Sequence, residues 1–262
     1  MTHGGHGRGP RPLLILSAGN VPARYGLNEG FAGMFLRLGG IDPSHCLVLD
    51  VTRRVPPRDP LAYSGLIVTG SLSMVTDRPR WSVRLGDFML KALESGAPLL
   101  GVCYGHQLLA HALGGEVGYH PLGMEQGTHR IRLSPGAMGH PFLAGLPESF
   151  PANLSHSQSV LSPPKGAQVL GSSGHDPHQL LGYGDKCLTV QFHPEFDRGV
   201  MEAFVGPLPK KRPKGGPAPN LGLPLKDTPE SASVLQNFVA LHGERARKHS
   251  QEGPGAALAK GP

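Results

Sequence analysis

Residues 98–110 read PLLGVCYGHQLLA, from Pro98 to Ala110, and the stretch changes character at its middle. Pro98–Val102 is a short apolar run with no polar face, as a strand buried on both sides requires. From Tyr104 to about Leu113 the pattern becomes helical, and Gly114-Gly115 supplies a glycine stop. Cys103 occupies the turn between them, with Gly101 and Gly105 two residues to either side. At such an elbow the central residue is forced out of the strand plane into a strained conformation. The flanking glycines avoid side-chain collisions as the chain reverses.

The same alternation extends outward from the elbow. Upstream, Leu13–Leu16 reads as a buried strand. Phe31, Met34, Phe35 and Leu38 place a helix over 28–38, stopped by Gly39-Gly40. Cys46–Val51 and Gly65–Thr69 read as the next two strands, and a helix over 80–95 carries Trp81 and Phe88 on its apolar side. Strands alternating with helices predict an α/β fold, a doubly wound, mostly parallel sheet flanked by helices. Between Glu116 and Val190, short apolar stretches (Arg130–Leu133, Ala167–Leu170, Cys187–Phe192) alternate with turns, which predicts additional edge strands in mixed order.

The chain divides into a leader over 1–11, a main domain over 12–205, an irregular Pro/Gly/Lys-rich insertion over 206–227, a C-terminal helix over 228–248 and a tail over 249–262. Leader and tail have the composition of disordered segments. Thr228-Pro229-Glu230 predicts a threonine-capped helix start, with Val234, Leu235, Phe238, Val239 and Leu241 on its apolar face. The net charge of +6 is concentrated late: residues 206–262 carry nine Lys/Arg against four Asp/Glu, and residues 1–205 carry sixteen against fifteen. The body is therefore almost neutral, and the KKRPK run lacks the interleaved aromatics that stack on bases, so a nucleic-acid partner is not expected. Three cysteines, Cys46, Cys103 and Cys187, cannot form a closed set of disulfides. With no apolar leader or membrane-length run, a soluble cytoplasmic protein is expected, with no membrane partner.

Cys103 reads as a nucleophile. Backbone N–H groups and the positive end of the helix dipole at the elbow favour a negative sulfur, and they can receive the oxyanion of a tetrahedral intermediate. A cysteine nucleophile needs a base, and TVQFHPEF (residues 189–196) offers His193 after an apolar strand, with Glu195 two positions on. Residues i and i+2 share a side of a strand, so Glu195 can hold the far nitrogen of His193. A lone cysteine in such a sheet would be read as an inert core thiol, as Cys46 and Cys187 are. The glycine frame, the helix start and the downstream His-Pro-Glu set Cys103 apart.

These segments resemble the class I glutamine amidotransferases over roughly residues 12–205. GVCYGHQLLA is similar to the nucleophile segment of that family and FHPE to its histidine and glutamate segment. The resemblance implies a flavodoxin-like sheet and a Cys103–His193–Glu195 triad. It further implies an oxyanion loop at Gly70 and Ser71 in VTGSLSMVTD, a backbone donor at Tyr104 and a glutamine-binding side chain at Gln107. NLSHSQSV is similar to the segment whose backbone grips the amino-acid end of the substrate, with Ser155, Ser157 and Gln158 at the contacting positions. His156 is read as structural, because it lacks the carboxylate partner that His193 has in sequence.

No cofactor or metal is implied. His106 and His111 are five apart on a helix and point apart, and His175, Asp176 and His178 read as a polar surface turn. The expected reaction is hydrolysis of the glutamine side-chain amide through a cysteine thioester, in a GMP-synthetase-like glutaminase module. No nucleotide loop of the GxxxxGK[ST] or SGGxDS type is present, so a synthetase that accepts the ammonia would be a separate chain. Two alternatives share the motifs: a self-sufficient hydrolase of γ-glutamyl peptides or amides, and a regulatory or binding module without turnover. The insertion at 206–227 departs from the family pattern, where a continued helix is expected.

Overall fold

The computed structural model describes residues 11–206 and 220–243. The expected tail over 249–262, nearly all of the leader and most of the 206–227 insertion lie outside the described residues. Twelve strands and five α-helices follow one another, beginning with β1 (Leu13–Ser17), α1 (Phe31–Gly39), β2 (Cys46–Asp50), β3 (Leu66–Val68) and α2 (Arg80–Glu94). Next come β4 (Leu99–Val102), α3 (Tyr104–Ala112), β5 (Glu116–Tyr119), β6 (Glu125–Leu133), β7 (Ser149–His156) and β8 (Gln158–Ser162). The chain then runs through β9 (Gln168–Ser172), β10 (Leu180–Gly182), β11 (Cys187–Val190), α4 (Arg198–Val205), β12 (Asn220–Gly222) and α5 (Pro229–His242).

Ten of the strands form one sheet in the order β12-β6-β9-β10-β11-β4-β3-β1-β2, with β7 paired to β6; β5 and β8 make a separate two-stranded sheet. From β11 to β2 every pairing is parallel, whereas β10, β9, β6 and β7 pair antiparallel. This is the mostly parallel, doubly wound sheet with mixed added strands that the residue pattern predicts.

The period of two along β1 places the two cores. Leu13 and Ile15 face a core that also contains Phe35 of α1 and Val234, Leu235 and Phe238 of α5. Leu14 and Leu16 face the opposite core, with Leu85, Phe88 and Met89 of α2 and Leu108 and Leu109 of α3. A third cluster, Phe31, Met34, Phe196, Val200, Met201 and Phe204, packs where α1 meets α4. Among the described residues no helix is long and apolar enough to cross a membrane.

Two local expectations need correction, and one insertion gains structure. Thr228 precedes α5, but its side chain caps no backbone N–H; its hydroxyl instead accepts from Ser231 Oγ at 2.9 Å. Leu241 is 54% exposed rather than on the apolar face; in this last turn it is His242 that packs inward, against Phe142 and Phe238. Within 206–227, Asn220–Gly222 is not irregular: it pairs in parallel with β6, and Asn153 Nδ2 donates to the carbonyl of Lys226 at 3.3 Å. Backbone pairing with an available edge overrides the low strand propensity of this segment.

Candidate active site

The elbow forms at the C-terminal edge of the parallel strands. Cys103 is the residue before α3 and has φ 48° and ψ −94°, one of two non-glycine residues with positive φ among those described. Such backbone strain in a non-glycine residue persists only where the surroundings hold it. Here Cys103 N donates to Val190 O at 2.8 Å and Gln107 N donates to Cys103 O at 3.0 Å. The flanking glycines are required by close approach: a Cβ at Gly105 would lie 2.8 Å from Val68 O, and one at Gly101 would lie 3.1 Å from Gly105 O.

Sheet register brings His193 to Cys103. β11 and β4 run parallel with Val190 opposite Val102, so the chain leaving β11 carries His193 over the same edge as Cys103. His193 N donates to Asn153 O at 2.8 Å, and the imidazole stacks on Phe196 with centroids 3.9 Å apart and planes 9° apart. Nδ1 lies 2.8 Å from Glu195 Oε1, and both side chains are buried. With Nδ1 donating to the carboxylate, the other nitrogen remains for the sulfur.

Burial alone would lower the His193 pKa; the charges of Glu195 and Cys103 and hydrogen bonds to both outweigh it and push it up to about 10. The ring is therefore poised as an imidazolium beside the sulfur. Burial pushes the Cys187 thiol far up and that of Cys46 to about 11, which keeps both protonated.

β3 ends at the same edge and delivers Gly70 against the pair. A Cβ there would lie 2.9 Å from His193 Cε1 and 3.6 Å from Cys103 Cβ. Ser71 Oγ donates to Ala18 O at 2.7 Å and accepts from Ser73 N at 3.1 Å, pinning the turn that follows. Tyr104 is buried, and its hydroxyl donates to Ser82 Oγ at 2.6 Å; burial raises its pKa to about 12.

A cleft opens over Cys103. Its polar lining includes Ser71, Tyr104, Gln107, Gln126, Ser155, His156, Ser157 and Gln158, and its apolar wall consists of Tyr25, Leu72, Met74, Met124 and Phe204. Apart from Gly70, His193 and Glu195, which stand behind this surface, every residue expected at the site lines it. Gln107 is less free than a simple ligand: its Nε2 donates to Gln158 O at 2.6 Å and to Gln191 Oε1 at 2.9 Å.

Two histidine readings change. His156 does have a carboxylate partner, Glu125 Oε2 at 3.0 Å, contributed by β6 across the β6–β7 ladder, where Glu125 is opposite His156. Glu125 is fully buried and also approaches His129 Nδ1 at 3.4 Å, while Ser173 Oγ and Gln179 Nε2 donate to it at 2.7 and 2.8 Å. Burial would raise its pKa, but the hydrogen bond and charge of His156, Ser173 and His129 hold it below the usual carboxylate value. The turn at 173–178 reaches the surface at Gly174 and Pro177 but buries His175 and Asp176, and Ser173 Oγ accepts from His175 N and Asp176 N at 3.1 and 2.9 Å. Glu125, Gln126, Tyr25 and Phe204 escaped the sequence reading because each belongs to the site only through strand pairing or packing, with no local motif around it.

The fold and this edge define an α/β protein with a cysteine on a strained strand-to-helix elbow beside a buried histidine–carboxylate pair. Residues 54–205 match the model of the family "Glutamine amidotransferase class-I", and the chain belongs to that family. Among curated relatives, the glutamine-hydrolysing GMP synthase of Thermomicrobium roseum is 34% identical over 140 residues, 52% of this chain and 24% of the relative. Gamma-glutamyl peptidase 4 of Arabidopsis thaliana is 30% identical over 143 residues, 53% of this chain and 56% of the relative. The chain thus spans about a quarter of the synthase and little more than half of the peptidase. A solved glutamine amidotransferase from Methylobacillus flagellatus shares the fold, with a TM-score of 0.68 at 23% identity, over 93% of this chain and all of that one.

Proposed function

We propose that the chain hydrolyses the side-chain amide of glutamine through a Cys103 thioester, and that a separate chain accepts the ammonia. The observation that carries this reading is the strained Cys103 lining a cleft, with the buried His193–Glu195 pair beside it. The Cys103 sulfur bonds to the γ-carbonyl carbon, and the electron pair of the C=O moves to oxygen, facing the main chain at Gly70, Ser71 and Tyr104. As the oxyanion collapses the C–N bond breaks, and His193 gives its proton to the departing ammonia. A water then adds to the thioester carbonyl, passing its proton to His193, and the C–S bond breaks to release glutamate and the thiolate. Ser155 and Ser157, with the main chain at Gln158, line the part of the cleft suited to the amino-acid group, and Gln107 lies beside them.

A second reading, a self-sufficient γ-glutamyl peptide or amide hydrolase, is favoured by the apolar wall of Tyr25, Leu72, Met74, Met124 and Phe204. Ammonia as a leaving group has no use for such a surface, whereas a larger amine can bury against it. Glutamate release from glutamine and from γ-glutamyl dipeptides, with and without cell extract, separates the two. Extract-stimulated glutaminase activity supports the first reading, and partner-free peptide cleavage supports the second. Cys103→Ala is expected to lower either activity by at least about 10⁴-fold, and a variant that turned over at the wild-type rate would refute the nucleophile assignment.

A further inference from the structure

The loop that leaves β3 at Gly70 is long and lacks a sheet partner, yet it must hold main-chain donors toward the sulfur. Two side-chain anchors fix it. At its near end Ser71 Oγ donates to Ala18 O at 2.7 Å. At its far end the side-chain amide of Gln158, a residue 1% exposed, makes two bonds: Oε1 accepts from Val75 N at 3.1 Å and Nε2 donates to Thr76 Oγ1 at 2.6 Å. A main-chain N–H can only donate, so the orientation of this amide is fixed by chemistry. The main-chain carbonyl of the same residue accepts from Gln107 Nε2 at 2.6 Å, one turn along the helix that Cys103 opens, and lies 3.0 Å from His156 Nδ1. Gln158 therefore ties three pieces together: the nucleophile helix, the His156–Glu125 pair and the loop that begins at Gly70.

We propose that Gln158 is a positioning residue whose side-chain amide latches the Gly70–Thr76 loop to the nucleophile helix, assembling the oxyanion site before substrate or any partner chain arrives. The proposal deepens the hydrolase reading above and rests on it. Main-chain donors at the oxyanion act in the transition state far more than in the ground state, so the latch governs kcat rather than KM.

The test uses Gln158→Met, which keeps the volume and removes both bonds, and Thr76→Val and Thr76→Ser at an exposed position outside the cleft lining. For Gln158→Met, kcat for γ-glutamyl amide hydrolysis falls about tenfold to a hundredfold, with KM within about threefold. Thr76→Val falls in the same direction and Thr76→Ser restores wild-type kcat. The dissociation constant of the γ-aldehyde of glutamate, whose thiohemiacetal places an oxyanion in the same site, rises by the factor lost in kcat/KM. Alkylation of Cys103 by iodoacetamide, which needs no oxyanion site, stays within about twofold. A lower melting temperature with unchanged kcat and unchanged aldehyde affinity would show mere packing and overturn the proposal. Should Gln158→Met fail to fold, the Thr76 pair decides alone. A wild-type chain that hydrolyses no γ-glutamyl compound would instead overturn the hydrolase reading, while aldehyde affinity against alkylation rate still reads the latch.

Discussion

Gly70→Ala isolates the contact of the loop with His193 and Cys103. The methyl would lie 2.9 Å from His193 Cε1, 3.6 Å from His193 Nδ1 and 3.6 Å from Cys103 Cβ. Carbon atoms in contact prefer about 3.5–4.0 Å, so the imidazole or the loop must give by roughly 0.6–1 Å. The ring has little freedom to retreat, because Phe196 covers one face at a centroid distance of 3.9 Å and Glu195 holds Nδ1 at 2.8 Å. Overpacking of this kind costs about 1–3 kcal/mol of stability. A misplacement approaching 1 Å at a reacting group costs about a hundredfold in rate. Gly70→Ala is accordingly expected to lose about two orders of magnitude in kcat, read as ammonia release at saturating glutamine, with a modest fall in melting temperature. The residue has no positive φ, so backbone strain does not confuse the result. Activity within about threefold of wild type would refute the packing of Gly70 against His193 as a determinant of turnover.

Two buried carboxylates make opposite predictions with pH. Glu195→Gln keeps an acceptor for Nδ1 but removes the charge, and kcat is expected to fall by about 10² to 10⁴. Because the folded pKa of His193 is raised from 6.5 to about 10, the stabilisation it draws from its partners is full below pH 6.5 and fades as pH rises through 10. The stability gap between wild type and Glu195→Gln, measured by urea unfolding, should therefore narrow from pH 6 to pH 10; a widening gap would contradict the ion pair. For Glu125 the folded pKa is lowered from 4.5, so its contribution is present above that value and is lost as pH falls below it. Glu125→Gln is expected to cost about 3–5 kcal/mol at neutral pH, as breaking a buried pair does, and clearly less in acid. An equal cost at pH 7 and pH 3 would show that the carboxylate charge is irrelevant there.

The parts of the site that are contiguous in the chain were legible without coordinates. The Cys103 elbow is written by Gly101, Gly105 and the switch from an apolar run to a helical pattern, and the structure gives each glycine a close backbone or side-chain neighbour. His193 and Glu195 do meet at 2.8 Å, but not on one side of a strand as the spacing suggested: β11 ends at Val190, and the two side chains come together across the turn at Pro194-Glu195. Expectations failed where a side chain's partner comes from far along the chain. His156 looked unpaired until β6 placed Glu125 opposite it, 31 residues away. Nothing in the stretch around Gln158 indicated that its side-chain amide bonds Val75 and Thr76, more than 80 residues away. The 173–178 turn is polar in composition, yet its His175 and Asp176 are buried, since hydrogen bonds to Ser173 and Asp176 satisfy its backbone there.

The sequence by itself determined the alternation of strands and helices, the family, and the placing of Cys103 on a strained turn, because hydrophobic period, glycine position and i to i+2 geometry are local properties. Only the tertiary structure decided that β11 lies beside β4 in a register that carries His193 over Cys103, and that Gly70, Gln107 and Gln158 converge on the same edge. Strand order and register are fixed by the packing of both sheet faces at once, which no single stretch of chain records.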